Sequence, residues 1–497
     1  MSNAFMSGLK AATNYTLTEN GGVAHRSTGT DLYDMFALGG AYRTRSDEDC
    51  ILLFKNAYEE NPVYALKCLF YMRDVRGGQG ERRFFRVCMK WLATVDKEAA
   101  LRNLECVSEF GRWDDLFIFI GTPLEDAMFN HLKEQLALDV QSKTPSLLAK
   151  WLKSENTSSA ESRAIAVRTR KAFGMTAKQY RKTLSILRER IRVLERLMSA
   201  GRWDEIEFDK IPSKAGLVYR NAFARRDMIK AKYEAFAKSE TTKVNAKALY
   251  PYEVVAQAYN ATHYKTPTAT ERAMIGKYWD NLEDYFNGAT LNALAIVDTS
   301  GSMWGSEAMA PINVAISLGM YCAEKAQGPY KGHYISFSRT PRLVRVEGQD
   351  FVDKVKRIYA TNLCENTDLV RAFNLVLSVA VNNRLSQSEL PEALIVISDM
   401  EIDSAQRGWG WRCSENDSNI LTEMDTVRAK WAAAGYKMPR LVFWNVRSRN
   451  NIILDKGPDV SLVSGASPVI FEQIMKGKSA MDLMYDKLDS ERYACIQ

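Results

Sequence analysis

The apolar residues of this 497-residue chain change their spacing near residue 288. Before that point they recur every three or four residues, as in residues 50–75 and 82–95, which predicts amphipathic helices. After it, short apolar runs alternate with helical stretches, and the runs occupy residues 291–297, 333–337, 392–398, 440–446 and 460–464. This alternation predicts a mostly parallel sheet covered on both faces, with an edge strand near Leu343.

The change of spacing predicts a multidomain protein with an all-α region followed by an α/β region. We predict an N-terminal extension over residues 1–30, a helical region over 31–287 and an α/β domain over 288–497, divided at the Asn287-Gly288 turn. Cys50 and Cys88 are 38 residues apart, near the period of paired-helix HEAT-like repeats. A GRWDDL sequence at residue 111 returns as GRWDEI at residue 201, each after a predicted helix.

Composition places the chain among ordinary globular proteins. It is 46% hydrophobic and 26% charged, and no apolar run approaches the roughly 20 residues of a membrane span, so we expect no membrane partner. The first twenty residues lack a basic, apolar signal sequence, which predicts a cytoplasmic location. The eight cysteines form no CxxC pair, which argues against a zinc ribbon and favours reduced, buried thiols.

Polar side chains follow the first predicted strand of the α/β region. Asp298, Ser300 and Ser302 form a D-x-S-x-S turn whose alternating side chains can converge as hard oxygen ligands for Mg²⁺ or Mn²⁺. Thr367 precedes a predicted helix, and Asp399 ends another apolar strand. Because ligands bind at the carboxyl ends of strands in such sheets, we predict one metal site from these five residues. The turn alone also fits a helix N-cap serine.

These residues resemble the metal-ion-dependent adhesion site of von Willebrand factor A domains, which have a Rossmann-like α/β fold. The resemblance implies that Ser300, Ser302 and Thr367 coordinate through hydroxyls, and that Asp298 and Asp399 act directly or through water. It also implies an open metal position that accepts an acidic oxygen from a protein partner. Trp304 lies just beyond the motif and is either an exposed partner-binding aromatic or a lid packed on its own domain.

Basic residues are concentrated in the middle of the chain. The net charge is +7, yet residues 141–250 alone hold 25 Lys and Arg against 11 Asp and Glu. Residues 163–196 hold eleven basic residues at largely helical spacing, which predicts a face that attracts RNA phosphates. The candidates are Arg168, Arg170, Lys171, Lys178, Arg181, Lys182 and Arg188. The alternative is a solvated helix face, or one matched to the chain's own acidic surface.

A second candidate phosphate site is the glycine-containing loop VRGGQGERRFFR. It contains Arg76, Arg82, Arg83 and Arg86, and Arg73 lies two residues before it. Its exposed amides together with the helix that follows can hold a phosphate. A helix-to-helix connection with a glycine cap explains the same sequence.

The predicted order of helices and A domain resembles the Ro autoantigen, or TROVE, family of RNA-binding proteins. A closer similarity, to an uncharacterised family of Ro-like proteins of plants and viruses, rests on YMRDVRGGQGERRFF, GRWDDL and FDKIPSKAGLVYRNAF. The resemblance implies RNA binding by a helical ring that the A domain closes. None of the family's RNA ligands inside the ring matches a residue here.

Catalytic signals are weak. Gly477-Lys478-Ser479 lacks the first glycine and the strand of a P-loop, and the four histidines have no ligand spacing, so we predict a non-enzymatic protein. Asp399, Glu401 and Asp403 are too few carboxylates for a two-metal nuclease. We predict a cytoplasmic RNA-binding protein with an acidic protein partner. The rival is a metal-dependent assembly module without RNA, and a third option is a substrate adaptor for a separate ATP-driven machine.

Overall fold

The protein is described by a computed structural model that covers residues 13–286, 288–337, 340–361, 368–402, 422–457, 459–475 and 480–497. Within these residues the chain is mostly helical and contains one large sheet and one hairpin. Contacts divide it into two compact units. Unit 1 contains Met1–Ala65 and Leu249–Leu488, and unit 2 contains Leu66–Ala248 and Asp489–Gln497.

The helices are numbered in chain order. Those before residue 250 are α1 Asp31–Leu38, α2 Asp47–Glu60, α3 Pro62–Arg73, α4 Arg83–Val95, α5 Lys97–Arg102, α6 Cys106–Phe110, α7 Glu125–Gln141, α8 Leu148–Trp151, α9 Ala160–Ala172, α10 Ala177–Arg190, α11 Leu194–Ser199, α12 Ser213–Arg225 and α13 Asp227–Lys238. Those after it are α14 Pro251–His263, α15 Ala269–Asp280, α16 Pro311–Lys325, α17 Phe351–Thr361, α18 Leu369–Asn382, α19 Glu423–Ala433, α20 Ile470–Met475 and α21 Ala480–Leu488. None of the helices in the described ranges is long and apolar enough to cross a membrane.

The strands lie in unit 1. They are β1 Tyr15–Leu17, β2 Val23–His25, β3 Ala293–Asp298, β4 His333–Phe337, β5 Arg342–Arg345, β6 Ala393–Ser398, β7 Arg440–Asn445 and β8 Val460–Ser464. β1 and β2 form an antiparallel hairpin. The other six form a sheet of order β5-β4-β3-β6-β7-β8, parallel except for the antiparallel edge strand β5. The predicted strands, including the edge strand near Leu343, are thus confirmed.

The sheet core is built from continuous apolar runs. Every residue of β3 and β6 is buried, as expected for strands that are covered on both faces. α1 packs against β8, where Tyr33 Oη accepts a hydrogen bond of 3.0 Å from Leu462 N. A Cβ on Gly40 would lie 2.8 Å from Ser464 O, so only glycine fits this close approach.

Helices α14 and α15 also belong to unit 1. Tyr259 of α14 contacts Tyr359 of α17 with ring centroids 4.4 Å apart. Trp279 of α15 stacks on Phe351 at the same distance, and its indole N–H donates to Glu324 of α16. Helices that precede and helices that follow the basic part of the chain, residues 141–250, therefore pack together with the sheet in unit 1. The sequence ranges predicted as domains stay predictions.

Unit 2 is helical in the residues described. Its core is rich in aromatic side chains, with Phe70 contacting Phe85 and Phe110 at centroid distances of 5.2 and 5.4 Å. The C-terminal residues return to this core, where Tyr493 stacks on Phe110 at 5.4 Å. This arrangement gives the helical region predicted from the sequence, while its HEAT-like character stays a prediction.

Candidate functional site

The topology of the sheet brings two acidic residues together. β3 lies between β4 and β6, so the chain leaves β3 in one direction and returns on its other side at β6. Asp298 is the last residue of β3, and Asp399 directly follows β6, with Val297 paired to Ile397 in the parallel ladder. This reversal of strand order is where open α/β sheets bind ligands. Two residues predicted as metal ligands therefore lie at neighbouring strand ends.

Hydrogen bonds fix the orientation of Asp298. Its Oδ1 accepts from Ser300 N at 2.9 Å, and its Oδ2 accepts from Ser398 Oγ at 2.5 Å. Ser300 Oγ and Ser302 Oγ lie 3.3 Å apart, so the turn brings both hydroxyls together. Ser398 was not identified as a site residue from the sequence. Its place as a polar residue at the end of an apolar strand, directly before Asp399, could have indicated it.

Asp399 has an unsatisfied oxygen. Its Oδ1 accepts from Glu401 N at 3.3 Å, whereas its Oδ2 is buried and receives no hydrogen bond from any described residue. The nearest cation is Arg449, whose Nη2 lies 3.9 Å from that Oδ2. A buried carboxylate oxygen without a donor is unfavourable unless a cation or donor fills the position.

The pKa values of the two carboxylates also favour a cation at this position. Burial and then the nearby charge of Asp399 raise the pKa of Asp298 well above its usual value. Burial likewise raises the pKa of Asp399, and the interactions with Ser302, Glu401 N and Arg449 only partly offset it. Both anionic forms are disfavoured without a compensating cation, and the surrounding donors are oxygens of the kind that Mg²⁺ prefers. The residues present therefore fit a divalent metal ion.

The backbone turns sharply beside Asp399. Met400 has a φ of +66°, in the left-handed region that residues with a side chain seldom adopt. Met400 N donates to Ser398 Oγ at 2.9 Å, which holds this turn. Such strain concentrates at ligand-binding sites.

Two further residues extend the site beyond what the sequence indicated. Arg449, four residues after β7, donates to Ser302 O and to Glu19 Oε2, both at 2.8 Å. Glu19 N in turn donates to Glu401 Oε2 at 2.6 Å. The turn between β1 and β2 therefore borders the candidate metal centre. The sequence could have indicated Arg449, because it follows a strand that ends at the same edge of the sheet. Nothing in the sequence indicated Glu19.

Two other residues were predicted for this site, Trp304 and Thr367. Trp304 is half-buried, its indole N–H lies 3.4 Å from Thr299 O, and its ring meets Tyr359 edge-on at 6.1 Å. Thr367 lies outside the described residues. Within the described ranges, no group of three or more His, Cys, Asp or Glu side chains is placed to hold a metal. The candidate centre depends on serine hydroxyls as well as on its two carboxylates.

The second predicted site, the glycine-containing loop, is folded onto the end of α3. Gln79 N donates to Tyr71 O at 3.1 Å and Glu81 N donates to Met72 O at 2.7 Å. Arg73 is buried and donates through Nε and Nη2 to Asp115 Oδ2, at 2.9 and 2.6 Å. Its guanidinium is thus committed to the fold and is left out of the phosphate-binding set. Arg76 and Arg82 are exposed, and Arg83 is half-buried.

Gly78 gives a direct test of this loop. A Cβ at Gly78 would lie 2.0 Å from Tyr71 O, which no side chain can tolerate without a backbone shift. We expect Gly78→Ala to destabilise unit 2 by about 1–3 kcal/mol, the usual range for overpacking. Gly276→Ala is the control, because its Cβ would lie 3.8 Å from Phe351 inside a helix. Hydrogen exchange of α3 peptides measures the effect, and equal stability of the two variants would contradict it.

GRWDDL forms an ion network around Asp114 and Asp115. Arg86 donates to Asp115 Oδ1 at 2.6 Å and to Asp114 Oδ2 at 3.1 Å, and Arg112 donates to both oxygens of Asp114. Burial acts to raise the pKa of Asp114, but the hydrogen bonds and charges of Arg112 and Arg86 outweigh it and hold this pKa below its usual value. The motif is therefore structural in unit 2.

Helices α9 and α10 form a hairpin that carries the basic segment. The turn between them uses Gly174 at a φ of +70°, and Thr176 caps α10 by accepting from Gln179 N. The buried face of α10 contains Tyr180, Leu184 and Leu187. The opposite face is exposed near the turn and carries Lys178, Arg181 and Lys182, with Lys171 just before the turn. We call these four residues the hairpin cations.

The hairpin cations have no acidic partners in the described part of the chain. No hydrogen bond or ion pair of their side chains is formed there. Moreover, α10 has no acidic residue in its first turn, so its partly positive N-terminus faces added positive charge. This arrangement opposes helix stability and leaves positive charge free for a ligand.

Three other predicted RNA contacts are used within unit 2. Arg168 pairs with Glu125 at 2.6 Å, and Arg170 pairs with Glu155 at 2.7 Å. Arg188 donates to Ala149 O and Leu152 O, both at 2.8 Å. Burial lowers the pKa of Arg188. These side chains support the hairpin, whereas the hairpin cations remain available.

The fold and site define a protein with a helical unit and an α/β unit whose central strands end in two buried carboxylates. The sequence model described as "Domain of unknown function (DUF2828)" matches residues 18–164 and 135–284, together more than half of the chain. The chain belongs to this family. A second model, "Domain of unknown function (DUF7788)", matches residues 292–493, which contain the six-stranded sheet.

Individual relatives extend the comparison. The uncharacterized protein L728 of Acanthamoeba polyphaga mimivirus is 29% identical over 514 residues, covering 94% of this chain and 85% of the relative. Among solved structures, the Ro (RSR) protein of Deinococcus radiodurans aligns with a TM-score of 0.47 and 14% identity, over 91% of this chain and 100% of that chain.

Proposed function

We propose that the protein is a non-enzymatic RNA-binding protein that contacts the phosphate backbone through the hairpin cations. The proposal is supported by four exposed side chains at the turn between α9 and α10 that have no acidic partner among the described residues. Phosphate groups supply the missing negative charge at the helix N-terminus. The resemblance of the sequence to Ro-like proteins supports RNA as the polyanion.

Salt dependence tests this proposal. When protein cations neutralise RNA phosphates, the counterions that had surrounded those phosphates are released into solution. The logarithm of the binding constant therefore falls linearly with the logarithm of the salt concentration, with a slope of about −0.7 per phosphate contact for a single strand. With four contacts we expect a slope near −3 in fluorescence anisotropy titrations of the full chain with single-stranded RNA. Affinity that does not change with salt would exclude a backbone-contacting mode.

The α/β unit has a second proposed role, which is to bind an acidic partner through a divalent metal. Asp298, Ser300, Ser302 and Asp399 would hold Mg²⁺ or Mn²⁺, and the unsatisfied Oδ2 of Asp399 favours this role. A bound metal would supply an electrophilic position for a carboxylate oxygen of the partner. In the alternative function this interaction alone assembles a larger particle and RNA is not bound.

Asp298→Ala tests the metal site. A ligand that binds only the folded state stabilises it by RT ln(1 + [L]/Kd), so Mg²⁺ is expected to raise the unfolding temperature of the full chain in proportion to that term. The variant removes a ligand and should lose this shift. Glu48→Ala, which removes an exposed carboxylate in α2, should keep it. Equal shifts in Asp298→Ala and the unchanged chain would contradict the metal site, as would no shift in either.

The two roles are separable. Chelation of the metal should release an acidic protein partner and leave RNA on the hairpin cations. If chelation removes a protein partner from a chain that carries no RNA, the assembly function is the better account.

A further inference from the structure

Two cysteines of unit 2 lie beside each other although 389 residues separate them in sequence. Cys106, at the start of α6, is half-buried, and Cys495 is exposed near the C-terminus. Their Sγ atoms are 3.7 Å apart. The other cysteines of the described ranges, Cys50, Cys68, Cys88 and Cys322, are all buried.

The segment that carries Cys495 is held against unit 2 by independent contacts. Arg492 Nη2 donates to Asp74 Oδ1 at 2.6 Å, and Tyr493 Oη donates to Asp74 Oδ2 at 2.9 Å. Gln497 N donates to Asn103 Oδ1 at 2.9 Å. These contacts lie on both sides of Cys495, so its thiol is held near Cys106 by the fold. Only a short approach of the two sulfurs separates the pair from the roughly 2.05 Å of a disulfide.

We propose that Cys106 and Cys495 form a reversible disulfide when the protein meets a hydroperoxide. Cys495, being exposed, is the first thiol that a peroxide in solution reaches. Cys106 is half-buried and its sulfur lies 3.7 Å from that of Cys495, so it is placed to attack the oxidised Cys495 in the second step. Burial and the neighbouring Cys495 raise the pKa of the Cys106 thiol, so this step is expected to be the slower one.

The oxidation takes place in two steps. The sulfur of Cys495 attacks hydrogen peroxide, an S–O bond forms as the O–O bond breaks, and one water leaves. The sulfur of Cys106 then attacks the sulfur of Cys495, the S–S bond forms as the S–O bond breaks, and a second water leaves with the thiol proton. The two thiols lose two electrons and the peroxide gains them. A thiol reductant such as dithiothreitol reverses the bridge by exchange.

The bridge has a structural consequence for unit 2. This unit is built from two chain segments, Leu66–Ala248 and Asp489–Gln497, which the residues of unit 1 separate in sequence. A disulfide between Cys106 and Cys495 ties the shorter segment covalently to the longer one. Oxidation should therefore suppress opening of the C-terminal residues, whereas the reduced protein relies on the contacts of Asp74 and Asn103.

The test is oxidation of the folded full chain with hydrogen peroxide, followed by alkylation of the remaining thiols and mass spectrometry without reduction. We expect two fewer alkylated thiols than in the reduced chain, a cross-linked peptide that joins residues 106 and 495, and slower hydrogen exchange of residues 489–497. Dithiothreitol should restore both thiols. Cys495→Ser, a substitution at an exposed position, should abolish the peptide, and Cys322→Ser should not.

Three results would overturn the proposal. One is a Cys495 oxidised to sulfenic or sulfinic acid while Cys106 stays alkylatable. The second is a bridge from Cys495 to Cys364, to Cys413 or to a second copy of the chain. The third is a 106–495 peptide that appears only after the protein is unfolded, since proximity in the folded state is the basis of the inference.

Discussion

Asp115→Asn is expected to destabilise unit 2 by about 3–5 kcal/mol, the usual result of breaking a buried ion pair from one side. Asp115 accepts four hydrogen bonds, from Nε and Nη2 of Arg73, Nε of Arg86 and the backbone N–H of Arg112. An asparagine presents an NH₂ group where these donors need an acceptor. It also leaves Arg73, which is 1% exposed, as an uncompensated buried charge.

Arg86→Gln is the matched control. Arg86 contacts the same carboxylate, but its side chain is 31% exposed, so water can compensate for the lost pair. We expect a loss of about 1 kcal/mol or less, as for a solvent-accessible ion pair. Hydrogen exchange of α3 and α4 amides reports the opening free energy of this part of unit 2 in each variant. Equal losses in the two variants would show that burial of Arg73 is not the source of the effect.

Replacing all four hairpin cations by glutamine is expected to weaken RNA binding by about two to three orders of magnitude at 0.1 M salt. Each phosphate contact contributes about 0.7 logarithmic units there, so the loss of four contacts removes most of the electrostatic affinity and flattens the salt slope by about 3. The substituted residues are Lys171, Lys178, Arg181 and Lys182. The fold should be retained, because these side chains are exposed and form no pairs in the described ranges.

A second four-residue variant separates position from total charge. Lys230, Lys238, Lys243 and Lys247 are also exposed lysines of unit 2 without ion pairs among the described residues. Their replacement by glutamine changes the net charge by the same amount. We expect only a small loss of RNA affinity in this variant. If both variants weaken binding equally, RNA responds to net charge and the hairpin is not its binding surface.

Much of the fold follows from local patterns in the sequence. The strands of the large sheet were predicted because continuous apolar runs such as Ala393–Ser398 have no other stable place than a covered sheet. Amphipathic spacing could not show which core a helix joins. α1 is buried along nearly its whole length and α4 along one face, but neither pattern indicates that α1 belongs to unit 1 and α4 to unit 2. That assignment depends on contacts between residues that are distant in sequence.

The candidate sites, like the fold, were only partly predictable from the sequence. Asp298 and Asp399 were predictable because strand-end acids in a parallel sheet meet at one edge. Arg73 was misleading, since its loop suggests an exposed cation while Asp115, 42 residues away, holds it in the core. The hairpin cations could be proposed from spacing, but only the structure distinguishes them from Arg168 and Arg170, which pair with glutamates outside their own helix.

The most direct test of the RNA-binding proposal is the nucleic acid that accompanies the full chain when it is purified at low salt. The ratio of absorbance at 260 and 280 nm, with nuclease digestion and sequencing, identifies that material. We expect RNA that high salt strips from the protein and that is missing from the hairpin-cation variant. Protein that is free of nucleic acid, and that does not bind single-stranded RNA at low salt, would contradict it.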